Sequence, residues 1–183
     1  MKVRSLSIEG LLIIEPRVFE DDRGYFMEPF NERTFKEATG LSVDFVQDNE
    51  SGSVDNTLRG LHFQVPPAQQ GKLVRASRGA VLDVAVDLRV DSPTFGQHKA
   101  VVLSAENKLQ FWIPPGFAHG FLTLEENTIF NYKCTGFYSQ ENEVSLRWDD
   151  PDLGIDWGIE NPVISEKDRN APLWSSFDSP FTL

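Results

Sequence analysis

An all-β fold, a double-sheet jelly roll, is what the sequence predicts, and three observations carry that prediction. Turn chemistry recurs at short intervals, at Asp21-Asp22-Arg23-Gly24, Pro66-Pro67, Arg78-Gly79, Ser92-Pro93, Pro114-Pro115-Gly116, Glu125-Glu126-Asn127 and Asp149-Asp150-Pro151. The runs between these turns are short and rich in Val, Ile, Phe, Leu and Thr, as the strands of a sandwich or barrel require. Only one segment has helical character.

That helix is expected over about 31–39, with Asn31 as its N-cap and Gly40 as its stop. Strands are expected over 57–64, 72–77, 80–88, 98–103, 108–113, 120–124, 128–137 and 143–148. From about Pro151 the chain carries Trp157, Pro162, Pro172 and Trp174 with little periodicity. It reads as an ordered tail, with one or two helical turns, that covers an end of the sheet. The span 1–183 is read as a single domain, since one core typically serves roughly 100–200 residues.

Composition narrows the function. Apolar residues are 40% and charged residues 25% of the chain, a globular rather than a disordered balance. The longest aliphatic run, Leu11 to Ile14, is far too short to span a bilayer, and Lys2 and Arg4 are not followed by a signal-peptide core. The single cysteine, Cys134, excludes an internal disulfide and points to a reducing compartment, read here as the cytoplasm. A net charge of −11 counts against nucleic-acid duplexes and anionic membranes as partners. A small anionic ligand remains open to it, provided Arg and Lys cluster locally against the overall field.

Three histidines are present: His62, His98 and His119. A jelly roll with Pro114-x-Gly116-x-x-His119 invites a metal site, but such a site needs three or four convergent His and carboxylate ligands. His62 has no His-x-His neighbour, and His98, beside Lys99, is expected to be exposed. No metal is therefore expected. Strand alternation places Gly60, His62 and Gln64 on one face and Leu61 and Phe63 on the other. A histidine that merely fixes its strand accounts for His62 on spacing alone, and a turn cap accounts for His119. Alternation also puts Arg59 opposite His62, so both reach one cavity only if Gly60 marks a bulge.

Other polar residues stand out. Arg23 lies in a turn and Glu28 follows on the next strand; Gln47 and Asn49 share a face; Lys72 begins an apolar strand. Asp83 sits in a strand whose neighbours Leu82, Val84 and Val86 have the other parity. Arg23, Arg59 and Lys72 together could grip a diphosphate. Tyr132 and Tyr138 would share a face on an unbroken strand, which Gly136 puts in question. An inward tyrosine is a candidate acid. Glu143 and the pair Lys167-Asp168 read as surface charges on spacing alone.

Taken together these segments resemble the dTDP-4-dehydrorhamnose 3,5-epimerases. The matching blocks include Asp22-Arg23-Gly24-Tyr25-Phe26-Met27-Glu28, Gln47-Asp48-Asn49, Leu58-Arg59-Gly60-Leu61-His62-Phe63-Gln64 and Gln70-Gly71-Lys72-Leu73-Val74-Arg75. They continue through Trp112-Ile113-Pro114-Pro115-Gly116-Phe117-Ala118-His119-Gly120, Tyr132-Lys133-Cys134-Thr135 and Arg147-Trp148-Asp149-Asp150-Pro151, in order over nearly the whole chain. The resemblance implies a cupin-like double-stranded β-helix that works as a homodimer with exchanged N-terminal strands and without cofactor. It implies a dTDP-4-keto-6-deoxyhexose as substrate. His62 then looks like the base, Asp168 like the carboxylate that orients it, Tyr132 like the acid on the opposite sugar face and Lys72 like the cation near the enolate. Arg23, Glu28, Gln47, Asn49, Arg59, His119, Glu143 and Lys167 match substrate contacts, and Tyr138 matches an aromatic that stacks on thymine. One departure is Asn56, where the family often has glycine; Asn tolerates a left-handed backbone, so the turn is expected to survive.

The chemistry explains the residue types. A proton beside a ketone is removable because the charge delocalises onto oxygen. Inversion needs a base on one face and an acid on the other. An imidazole, with a reference pKa of about 6.5, suits the first task; a phenol, neutral at pH 7, suits the second. Double epimerisation at C3 and C5 is the leading reading. A single-centre epimerase of a related sugar, a non-catalytic nucleotide-sugar-binding cupin and a metal-dependent cupin oxygenase are the alternatives.

Overall fold

A computed structural model describes residues 1–183. In chain order the strands are β1 (Lys2–Ser5), β2 (Leu12–Glu15), β3 (Val18–Asp21), β4 (Gly24–Met27), β5 (Gln47–Ser53), β6 (Leu58–Gln64) and β7 (Lys72–Arg78). They continue with β8 (Ala80–Asp87), β9 (His98–Ser104), β10 (Gln110–Ile113), β11 (Phe117–Thr123), β12 (Thr128–Cys134) and β13 (Glu143–Ser145). Helix α1 spans Glu32–Thr39 and α2 spans Glu166–Arg169. Asn31 caps α1 by accepting from the Thr34 N–H, and Gly40 ends it in the left-handed region at φ 74°, as the sequence predicts.

Two antiparallel sheets face each other. One has six strands in the order β1-β2-β10-β7-β12-β5; the other has five, β13-β6-β11-β8-β9. This is the expected double-sheet jelly roll. Between the sheets lie Ile13, Val74, Val81, Ala85, Phe111, Phe121 and Phe130, all buried. A second apolar layer, with Leu58, Leu61, Phe63, Val84, Val86 and Leu122, lies on the far face of the five-stranded sheet. Burial on both faces is why β8 and β11 read as nearly unbroken apolar runs. A third cluster, Ile14, Leu73 and Trp112 with Phe35 of α1, covers the outer face of the six-stranded sheet.

The tail differs from expectation in what it covers. Leu153, Trp157 and Phe181 are buried in the second layer, so the tail runs over a face of the five-stranded sheet rather than an end. It also reaches His98, which is half-buried rather than exposed. Burial, partly opposed by a hydrogen bond with the Leu153 backbone, holds its pKa below the usual histidine range.

Strand ends also move. β10 begins at Gln110, not 108, because Lys108 takes a left-handed turn conformation at φ 57°. β12 stops at Cys134, short of Gly136, and β13 at Ser145. β11 begins at Phe117 and so includes His119. The strands β1 and β3 are short and largely exposed, which leaves no clear pattern in the sequence. Asn56 adopts φ 58°, the left-handed conformation that the sequence expects asparagine to tolerate there.

Candidate active site

A cavity of about 550 Å³ opens between the sheets. Arg59 and His62 reach it from β6, Lys72 from β7, His119 and Phe121 from β11, Phe130 and Tyr132 from β12, and Lys167 and Asp168 from α2. The conflict over Arg59 and His62 is resolved at Gly60. The β6–β11 register slips between His119 and Phe121, and Gly60 sits at φ 140°. A Cβ there would lie 2.6 Å from the Gly120 Cα, so only glycine fits. The slip places Leu58, Leu61 and Phe63 in the tail-covered layer while Arg59 and His62 share the cavity.

His62 Nε2 lies 2.6 Å from Asp168 Oδ1. The Asp168 carboxylate, 3% exposed, also accepts from the Gly60 N–H at 3.3 Å. Burial raises its pKa most strongly as a single effect. The hydrogen bonds from His62 and Gly60 and the His62 charge together outweigh burial and hold it below the usual carboxylate range. An ionised carboxylate can only accept, so Nε2 is the donor, and in the neutral ring the lone pair is on Nδ1. Ser165 caps α2 by accepting from the Asp168 N–H, which fixes the backbone that presents the carboxylate.

A second pair stands beside the first. His119, which is in register with His62 on the neighbouring strand, meets Asp83 through Nε2 at 2.9 and 3.1 Å. Asp83 is fully buried. Burial is the main reason that the His119 pKa falls, with Asp83 pulling it part of the way back. The sequence flagged Asp83 only by its parity and gave it no role; its partner follows from the register β8–β11, which no local pattern reveals.

Lys72 and Tyr132 face these pairs from the other sheet. Burial lowers the Lys72 pKa, opposed in part by Cys134, Asp83 and Glu143. Burial likewise raises that of Tyr132, as do Cys134 and Glu143, while Arg59 opposes the rise, so the phenol stays protonated at neutral pH. A recess of about 130 Å³ continues from the cavity and shares His62, Lys72 and Tyr132 with it. Gln47, Asn49, Tyr138 and Glu143 line this recess. Tyr138 lies beyond the end of β12; its hydroxyl donates to Glu143 Oε2 at 3.1 Å, and Lys167 Nζ donates to the same oxygen. Gln64 and Gln70 also line the recess and carry no role in the sequence reading.

Arg23 and Glu28 do not join this cluster within one chain. Both are exposed on or beside the β3–β4 hairpin, and Arg23 donates to Asp21 instead. Among the acidic, cysteine and histidine side chains, no group of three or more is arranged to hold a metal ion.

An imidazole of the five-stranded sheet paired with a carboxylate from α2, a neutral phenol of the facing sheet and a half-buried lysine beside them are the groups of an acid–base site. The chain belongs to the dTDP-4-dehydrorhamnose 3,5-epimerase family, whose model matches residues 5–176. It is 54% identical over 179 residues to a dTDP-4-dehydrorhamnose 3,5-epimerase of Pseudomonas aeruginosa, covering 97% of this chain and 98% of the relative. It is 58% identical over 167 residues to one of Methanothermobacter thermautotrophicus, covering 90% and 89%. The crystal structure of a dTDP-6-deoxy-D-glucose-3,5-epimerase from Legionella pneumophila, in complex with dTDP-4-keto-L-rhamnose, superposes with a TM-score of 0.92 at 48% identity, over 97% of this chain and 94% of that one.

Proposed function

We propose that His62, Asp168, Tyr132 and Lys72 carry out the reaction that defines the family: inversion of C3 and C5 of dTDP-4-dehydro-6-deoxy-D-glucose to give dTDP-4-dehydro-L-rhamnose. The chain is a carbohydrate epimerase of that type. His62 Nδ1 takes the proton from the carbon beside the ketone. The C–H electron pair moves into the new C=C bond, and the carbonyl pair moves onto O4. Asp168 stabilises the imidazolium that forms, and Lys72 stabilises the enolate oxygen. Tyr132 then gives its proton to the opposite face of the carbon, and solvent restores both side chains. The cycle runs once at each centre. The ketone itself accepts the electrons, so the chemistry asks for no metal or organic cofactor.

The observation that supports this most is that His62 and Tyr132 come from facing sheets yet line one cavity. A hexose ring between them would have one face toward each. Arg59 serves the diphosphate, His119 the sugar, and Gln47, Asn49, Tyr138, Glu143 and Lys167 the nucleoside end. The remote nucleotide holds a small sugar in register through binding energy of its own.

Arg23 and Glu28 complete the site of a second copy. The β3–β4 hairpin leaves Phe19, Tyr25 and Phe26 at 47%, 54% and 64% exposure, an aromatic surface suited to burial against another subunit. A homodimer with exchanged N-terminal strands is the assembly this favours. No helix is long and apolar enough to cross a membrane, and the cytoplasm is the compartment proposed.

The test is to incubate the protein with dTDP-4-keto-6-deoxyglucose and assign the product by proton NMR. Two inverted centres are expected. One inverted centre would make it a single-centre epimerase, and binding without any change would make it a nucleotide-sugar-binding protein.

A further inference from the structure

The segment after β12 is held in an unusual way. Residues Phe137 and Tyr138 are 71% and 56% exposed, so side-chain packing does little to fix them. Their backbone is instead held by glutamine amides on four consecutive residues. Gln70 Nε2 donates to the Gly136 carbonyl at 2.6 Å. Gln64 Nε2 donates to the Phe137 carbonyl at 3.1 Å, and Gln64 Oε1 accepts from the Ser139 N–H at 2.7 Å. Gln47 Oε1 accepts from the Tyr138 N–H at 2.9 Å.

Gln64 is the centre of this arrangement. It is 5% exposed, and Nε2 also donates to the Ala68 carbonyl at 2.6 Å. Both amide donors and one acceptor site are thereby used on main-chain groups. A single buried side chain on β6, two residues from His62, thus ties the loop after β6 to the loop after β12. The two loops flank the recess that holds the proposed nucleoside end.

We propose that Gln64 is a positioning residue for nucleotide recognition: it fixes the 136–139 backbone so that the Tyr138 ring is already in place as a platform for the planar base of a nucleoside diphosphate sugar. This rests on the reading of the recess given above. A platform ordered before binding spares the ligand the entropy of ordering it, so the loss of Gln64 weakens binding rather than chemistry. His62 keeps its own partner, Asp168, through contacts that do not involve Gln64.

The test is a double-mutant cycle with Gln64→Met and Tyr138→Ala, read by dTDP titration and by steady-state kinetics. Gln64→Met is expected to raise the dTDP Kd and the KM at least about fivefold, the low end of what base stacking on an aromatic side chain contributes, with kcat within about threefold. Tyr138→Ala is expected to weaken binding by a similar factor, and the double variant by little more than either alone, because coupled residues are not additive. A Gln64→Met protein with unchanged Kd and KM, or factors that multiply in the double variant, overturns the proposal. If Gln64→Met does not fold, Gln64→Glu, which keeps the shape and loses both N–H donations to the Ala68 and Phe137 carbonyls, replaces it in the same cycle, with the same pattern expected and the same refutation. If the wild type neither binds dTDP nor turns over the sugar, the functional reading fails instead. If the wild type does both and the glutamine variant matches it, that reading stands and the Gln64 assignment falls.

Discussion

Replacing Asp168 by asparagine tests the proton-transfer pair with little change in shape. The carboxylate is 3% exposed and sits 2.6 Å from His62 Nε2. When His62 takes a proton it becomes a cation with that carboxylate as its counter-charge. With the charges about 4 Å apart and an effective dielectric of about 20, the attraction is about 4 kcal/mol. Its loss corresponds to roughly a thousandfold in rate, at about 1.4 kcal/mol per decade. A second effect acts in the same direction. The asparagine NH₂ can donate to Nε2, which moves the ring proton to Nδ1 and leaves no lone pair for the substrate; the equivalent change in a hydrolase triad costs about ten-thousandfold in kcat. Asp168→Asn is therefore expected to lose about 10³ to 10⁴ in kcat. The assay is single-turnover conversion of dTDP-4-keto-6-deoxyglucose, with dTDP affinity measured in parallel by calorimetry. Affinity should stay within about threefold, because the nucleoside contacts lie elsewhere. A variant within tenfold of the wild-type kcat, with the His62 environment intact, would refute the counter-charge role.

Other changes probe the remaining parts. Tyr132→Phe should still exchange substrate protons with solvent while forming little inverted product, as followed by NMR in deuterated water; normal product formation would remove Tyr132 from the acid role. Lys72→Met should lower kcat about 100- to 1,000-fold, the usual loss when a preorganised donor to a developing oxyanion is removed, and an unchanged kcat would place the enolate elsewhere. Gly60→Ala should cost about 2–4 kcal/mol in urea unfolding, because its Cβ would press on the Gly120 backbone at 2.6 Å. A stability loss below about 0.5 kcal/mol, the range of neutral surface changes, would contradict the close approach. The His119 pKa is held low chiefly by burial, so the unfolded chain binds the extra proton first. Stability is full above the unfolded value of about 6.5 and falls as pH drops through the window toward the lower folded value. His119→Gln should flatten that slope between pH 7 and 5 without abolishing it, since His98 is also lowered; an unchanged slope would show that His119 does not contribute.

The sheet architecture was legible because turn residues and β-branched runs are local signals. The helix at Glu32–Thr39 was legible for the same reason, through Asn31 and Gly40. The exposed hairpin β3–β4 was less so, since neither face is buried within the chain and no alternation marks it. At the site, parity placed His62 inward but set Arg59 against it, and only the slipped register at Gly60 reconciles the two. Asp168 illustrates what spacing cannot reveal. It looks like one charge in a polar tail, 106 residues from His62 in sequence, and only the path of the tail across the sheet joins them. The resemblance to the epimerase family supplied that pairing before the fold did. Gln64 had a readable position, inward on β6, but its partners lie in two loops whose closeness depends on the whole barrel.

The account stands most directly on solvent exchange at the two carbons beside the ketone. In deuterated water the wild-type protein should place deuterium at C3 and C5 of the 4-keto sugar, while His62→Ala places none at either carbon and still binds dTDP. Wild-type rates of exchange in His62→Ala would contradict it.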